Sequence, residues 1–255
     1  AQLSRGLGDV YKRQVPISVA LGLGSALLIS SLRIGNELYK AIFFLPVMAT
    51  LLAMAIVWEF ALNPIMGVVN DILRSGCDKR LIYGFFTGAW YGADPLQSWY
   101  GTACADKFPI WLGDKRYALG TIAFIGIWQG FGFNMVLYLA GLTSVPRELY
   151  QAAHMDGADS AWERFKLVTW PMLGPTHVFV ITISSIRSFQ VFDTVEALTE
   201  GGPSKSTYVM VYAMFEKGVR QNLLGIGSAI TIVFLAFVLV LTLIQVYFVN
   251  RRVHY

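Results

Sequence analysis

Charge vanishes from this chain for long stretches. The windows Gln14 to Leu32, Ala41 to Trp58, Tyr117 to Pro146, Leu167 to Ile186 and Gln221 to Asn250 hold no Asp, Glu, Lys or Arg. A bilayer core takes roughly 20 mostly apolar residues as a helix. The pattern therefore predicts an all-α integral membrane protein, a polytopic bundle of about five transmembrane helices.

The third and fourth windows are separated by a polar, charge-bearing interruption, residues 144–171, that reads as folded. Ser144 ahead of Pro146, Arg147 and Glu148 predicts a helix start, because Ser caps free backbone N–H groups and Pro fits a first turn. Asp156-Gly157 predicts its stop, Gly being free to turn left-handed. Ser160-Ala-Trp-Glu163 matches a capping box that starts a second helix. Trp162, Phe165 and Val168 continue it as an apolar face, and Pro171 opens the next span. The expected product is two short helices joined at a tight bend. Ala152 and Ala153 keep one face small, while Glu148, Asp156, Glu163 and Arg164 give it charged edges. Such an elbow could fill a groove on a partner, or lie flat in the membrane interface as a helical hairpin.

Composition agrees with the bilayer. The chain is 55% hydrophobic and 14% charged, with a mean hydropathy of +0.54, unlike a soluble domain. Its net charge of +4 is scattered, which gives nucleic-acid binding no support. Arg33 and Lys40, then Arg147, Arg164 and Lys166, then Arg251 and Arg252 fall on one side of the membrane, read as cytoplasmic by the positive-inside rule. The opposite side carries the connections 63–116 and 193–220, the first rich in Trp90, Tyr91, Trp99, Tyr100 and Trp111. Those aromatics fit an external cap or interfacial anchoring equally well. Cys77 and Cys104 share that connection and could pair or stay free. Residues 1–14 are polar and glycine-bearing, unlike the helix they precede. They read as an atypical segment, non-native or at a truncation edge, ahead of a transmembrane domain over 15–255.

The interruption resembles the cytoplasmic coupling loop of the permease subunits of binding-protein-dependent ABC importers. Their pattern is Glu-Ala-Ala, three residues, Gly, nine residues, then Ile-x-Leu-Pro. Here Gln151, Ala152, Ala153 and Gly157 take the first positions and Val168-Thr169-Trp170-Pro171 the last. Gln stands for Glu, Trp170 for Leu, and ten residues separate Gly157 from Val168. The resemblance covers about Val15 to Tyr255 and is nearest the carbohydrate and glycerol-phosphate branch. Phe43-Phe-Leu-Pro46, Trp58-Glu59, Asn63-Pro64, Gly132-Phe-Asn134, Ser188-Phe-Gln-Val-Phe-Asp193, Gly201-Gly-Pro203 and the terminal Arg-Arg-Val-His-Tyr carry it.

The resemblance implies a permease in a bacterial or archaeal cytoplasmic membrane that moves a sugar, oligosaccharide or polyol phosphate inward. It implies two ATP-binding cassette subunits, a second homologous permease and an extracytoplasmic solute-binding protein as partners, with ATP held by the cassettes and no cofactor on this chain. Glu148, Gln151, Ala152, Ala153, Asp156, Gly157, Ala158 and Pro171 would form the ATPase-coupling loop. A core of six helices is usual in that family, so the first would precede Val15. An ion-coupled secondary transporter or channel is the alternative.

Polar groups inside spans mark the candidate path: Gln129, Asn134 and Gln190 could bond sugar hydroxyls, with Phe189, Trp128 or Phe131 stacking on a sugar face. Interhelical hydrogen bonding explains the same residues. Gly126 and Gly130 have the spacing of a close helix contact, and Arg187 could meet a phosphate or snorkel to the surface. Gly201-Gly-Pro-Ser-Lys-Ser-Thr207 lacks the spacing of a phosphate-binding loop, and His154, His177 and His254 are far apart. Neither ATP hydrolysis nor other catalysis is expected.

Overall fold

A computed structural model describes residues 2–32, 35–70, 72 and 109–250. The two cysteines, Trp90, Tyr91, Trp99, Tyr100, Arg33 and the terminal Arg-Arg-Val-His-Tyr lie outside the described residues. Among the described residues the regular structure is helical, with no strand.

Helices α1 (Gln2–Ser31), α2 (Asn36–Met48) and α3 (Leu51–Ala61) come first, followed by α4 (Ala118–Thr143) and α5 (Arg147–Met155). The short α6 (Ala161–Arg164) runs through a π turn (Phe165–Thr169) into α7 (Trp170–Met172) and then α8 (Gly174–Phe189). Next are α9 (Asp193–Leu198), α10 (Met210–Phe215), a second π turn (Glu216–Arg220) and α11 (Leu224–Asn250).

Four runs are long and apolar enough to cross a membrane: Gln14–Ser31, Ala118–Thr143, Gly174–Leu198 and Leu224–Tyr247. The expected second span, Ala41 to Trp58, is broken at Ala49 and Thr50 into α2 and α3, and makes a fifth only if the pair is taken as one. The freed carbonyl at the break is not left bare, since Gln129 Nε2 donates to Ala49 O at 3.4 Å. Backbone without such a partner is costly in hydrocarbon. The fourth span starts later than its uncharged window, because Leu167 to Leu173 are spent on the exit from the interruption. Absence of charge does not distinguish an apolar interfacial turn from a span.

The chain divides into two compact units. One holds residues 1–50, 123–192 and 208–255. Its centre is a cluster of Ala26, Ile29, Met135, Tyr138, Leu173 and Val180, drawn from α1, α4, α8 and the residue ahead of α8. Glycines set how closely these helices approach: a Cβ at Gly22 would strike Asn134, at Gly126 Gln14, and at Gly141 Thr176 and Leu173. Gly130 faces open space, so of the Gly126 and Gly130 pair only Gly126 serves packing. Helix α11 packs along α8 and α10 yet leaves a broad apolar face outward, with Leu235, Leu239 and Leu243 exposed.

The other unit holds residues 51–122 and 193–207, where α3 packs on α9. Trp111, one of the aromatics that fit a cap or interfacial anchoring equally well, donates its indole N–H to the buried Asn70 Oδ1 at 2.8 Å. Asn70 in turn donates to Pro64 O. The Gly201-Gly-Pro203 stretch is closed by Thr207, whose Oγ1 donates to Gly202 O at 2.7 Å and meets Thr199 Oγ1 at 2.8 Å.

Candidate coupling elbow and polar seam

The interruption folds as two short helices meeting at a bend, and its joints are made of backbone chemistry. At its entry Ser144 caps nothing, contrary to expectation. Its Oγ donates to Gly141 O at 2.7 Å, finishing α4, and α5 begins at Arg147, after Pro146, without a side-chain cap. The Leu149 N–H, which a capping side chain would satisfy, donates instead to Pro146 O at 3.3 Å.

The stop at Asp156-Gly157 is a Schellman motif. Gly157 N–H donates to His154 O at 3.1 Å and Ala158 N–H reaches back to Ala153 O at 2.9 Å. Gly157 sits at φ +90, a conformation that costs a residue bearing a Cβ about 1–2 kcal/mol. The motif brings the residue after the glycine against the third from the helix end. That is the contact of Ala158 with Ala153, and both are buried in a small cluster with Val145 and Val168, with Tyr150 packed against it.

The two alanines therefore part company. Ala153 faces the elbow's own core, and Ala152 faces outward with Glu148, Gln151 and Asp156. Across the bend, His154 Nδ1 lies 2.8 Å from Asp159 Oδ1. Both side chains are exposed, where such a contact adds little.

The capping box is present as expected: Trp162 N–H donates to Ser160 Oγ at 3.2 Å and Ser160 N–H to Glu163 Oε2 at 3.1 Å. Beyond it the chain departs from a regular helix. Trp170 N–H bonds Phe165 O, five residues back. A π turn holds one residue more than an α turn, and it takes up the tenth residue between Gly157 and Val168. The extra residue also splits the expected apolar face. Val168 turns inward, while Trp162 stays 69% exposed. Tyr150 OH and Thr169 Oγ1, 3.0 Å apart, tie the two arms together. Neither residue stands out in sequence, because a Tyr and a Thr nineteen positions apart carry no periodic signal. Pro171, in α7, is exposed at the exit.

A second feature lies inside the bundle. Asn134, only 3% exposed, accepts from Ser184 Oγ at 3.1 Å and donates to Ser18 Oγ at 3.5 Å, joining α4 to α8 and α1. Gln245 Nε2 donates to Ser185 Oγ at 3.0 Å, bringing α11 into the same seam. The four candidate path residues are thus not gathered. Gln129 is bonded at the α2–α3 break, and Asn134 is enclosed by its serine partners. Phe189 is buried edge-on against Phe237 at 5.6 Å, and Gln190 is exposed where α8 ends. Arg187 lies over the Phe133 ring, 4.1 Å from its centroid.

The described residues thus form a helical membrane bundle with a self-cored elbow between two spans, and comparison with known proteins gives the family. Residues 18–254 match the family described as binding-protein-dependent transport system inner membrane component, and the chain belongs to it. It is similar to the sn-glycerol-3-phosphate transport system permease protein UgpA of Brucella abortus, 30% identical over 94% of this chain and 73% of that protein. It is also similar to the trehalose/maltose transport system permease protein MalF of Thermococcus litoralis, 33% identical over 91% of this chain and 68% of that one.

Among solved structures, a bacterial ABC transporter involved in the import of the acidic polysaccharide alginate shares the fold. Its TM-score is 0.77 at 20% identity, over 98% of this chain and 78% of that one. A structure of bacterial alginate ABC transporter in complex with alginate pentasaccharide-bound periplasmic protein matches with a TM-score of 0.70 at 22% identity. The chain is accordingly a multi-pass, membrane-embedded transporter permease.

Proposed function

We propose that this chain carries a sugar, an oligosaccharide or a polyol phosphate into the cytoplasm of a bacterium or archaeon, driven by ATP hydrolysis on separate subunits. The observation that carries the coupling role is the elbow. Its core is satisfied internally by Ala153, Ala158, Val145 and Val168, so its outer face, with Glu148, Gln151, Ala152 and Met155 exposed, is free to seat in an ATPase groove. The solute class rests on the relatives, whose names specify glycerol phosphate and disaccharides. Two cassette subunits that bind ATP, a second permease and an extracytoplasmic solute-binding protein complete the assembly. This chain has no catalytic role and binds no cofactor of its own.

In this reading ATP closing the cassette pair moves the elbow, and differential binding energy shifts the bundle between two openings. Gln190, exposed at the end of α8, and Gln129 remain the candidate path residues in this reading, while Asn134 and Phe189 serve helix packing.

The test is reconstitution of the whole transporter. Gly157→Pro, or a bulky residue at Ala153, should abolish solute-stimulated ATP hydrolysis and uptake while leaving membrane insertion intact. Unchanged uptake and stimulation in both would overturn the coupling role. Uptake that persists without ATP would point to ion-coupled transport, and thermal-shift assays of the solute-binding protein against a sugar panel would identify the solute.

A further inference from the structure

We infer that Trp162, Phe165, Trp170, His177 and Tyr138 form one strut that ties the elbow to the centre of the bundle, with His177 and Tyr138 as positioning residues. The inference rests on the coupling role proposed for the elbow.

The spacing of these residues is wrong for an α-helix. At 3.6 residues per turn, positions i and i+5 diverge by about 140°, so Phe165 and Trp170 should face apart. The π turn closes i on i+5 and realigns them. The rings then run in series. Trp162 stacks on Phe165 at 5.5 Å, Phe165 meets Trp170 at 5.9 Å, and Trp170 lies against the His177 imidazole at 4.5 Å. His177 Nδ1 is 2.8 Å from the Tyr138 hydroxyl of α4, and the two rings meet edge-on at 5.2 Å. Tyr138 has no exposed surface and sits among Ala26, Ile29, Met135, Leu173 and Val180. The series therefore starts at the capping-box helix and ends in the packed centre of α1, α4 and α8.

Two departures from the family pattern, the extra residue and Trp170 in place of Leu, make up this one device. Ring-to-ring contact suits a strut, because close-packed side chains pass displacement on instead of absorbing it. The strut meets α4 through one polar contact and one edge-on ring contact. Among the described residues His177 Nε2 is buried with no partner, so loss of the Tyr138 hydroxyl leaves the imidazole without a hydrogen bond to them. The isosteric Tyr138→Phe removes that contact at the least cost to packing.

The test uses the complete transporter in nanodiscs, with spin labels at Met155 on the elbow and Val136 on α4, both exposed, without nucleotide and with ATP plus vanadate. An intact strut keeps one Met155–Val136 distance in both states while the elbow moves relative to the ATPase subunit. In Tyr138→Phe and His177→Phe a second distance should appear with nucleotide. The population in which α4 follows the elbow should fall about three- to tenfold, within the usual range for residues that carry coupling.

Trp170→Leu should behave like Tyr138→Phe, and Trp170→Phe like the native chain. Deleting Lys166, which returns the π turn to an α turn, leaves Phe165 and Trp170 four positions apart and about 40° around the helix, so this variant should keep the single distance of the native chain. The double variant Trp170→Leu with Tyr138→Phe should lose no more than either single one, as expected of links in series. A single distance in every variant, or additive losses, would overturn the strut while leaving the elbow's coupling role standing. An elbow that nucleotide does not move in the native complex would overturn both.

Discussion

The elbow and the polar seam of the bundle belong to the same compact unit, yet they solve opposite problems with opposite means. The elbow must hold its shape while presenting polar surface. It does so with local contacts: a Schellman turn, a capping box, and a cluster of two alanines and two valines. Its hydrogen bonds join residues a few positions apart, with Tyr150 to Thr169 the longest at nineteen. The seam must hide polar groups in an apolar medium. Its bonds join residues 50, 60 and 116 positions apart, and two of the three consume Asn134, a side chain that sequence would offer to a solute. Polar residues in a transporter are therefore not equivalent. Those with short-range partners shape a surface, whereas those with long-range partners set the arrangement of the helices.

The sharpest way to break this contrast is to overpack the elbow. Ala153→Leu forces extra volume against Val145, Ala158 and Val168, at about 2–3 kcal/mol. If the elbow is locally determined, hydrogen exchange should rise through 147–172 while the unfolding midpoint of the bundle in denaturing detergent hardly moves. A matching fall of that midpoint would show that elbow and bundle are one cooperative body.

Asn134→Ala addresses the other side. Losing both of its interhelical bonds should cost about 1–1.5 kcal/mol, since such bonds in membrane proteins average about 0.6 kcal/mol each. The loss should appear in the bundle's unfolding midpoint and leave exchange in the elbow unchanged. An unaltered midpoint together with impaired solute uptake would return Asn134 to the translocation path.

The smallest effect is expected from Ser160→Ala. It removes one capping-box bond, worth about 1 kcal/mol, and should speed amide exchange about fivefold, confined to the first turn of α6. Exchange that rises elsewhere would mean that the box supports more than its own helix.

Legibility in the sequence follows the same division. The turn at Gly157 and the box at Ser160 could be read directly, because each is a backbone need met by a residue within five positions. Ser144 misled because its hydroxyl had two local choices, the free amides ahead or the carbonyl of Gly141 behind, and residue type does not choose between them. The break in α2–α3 was illegible, since an uncharged window is silent about where a helix ends inside it.

Hydropathy, capping residues and one left-handed glycine thus sufficed, from sequence alone, for a helical membrane protein with a two-armed elbow between spans. Only the tertiary structure decided that Ala153 turns inward and Ala152 outward, and that Asn134 bonds two serines on other helices. It also decided that Trp170 reaches Tyr138 through His177. The reason is physical: a cap is settled within a turn of backbone, whereas the partner of a side chain in the bilayer is settled by which helices pack beside it.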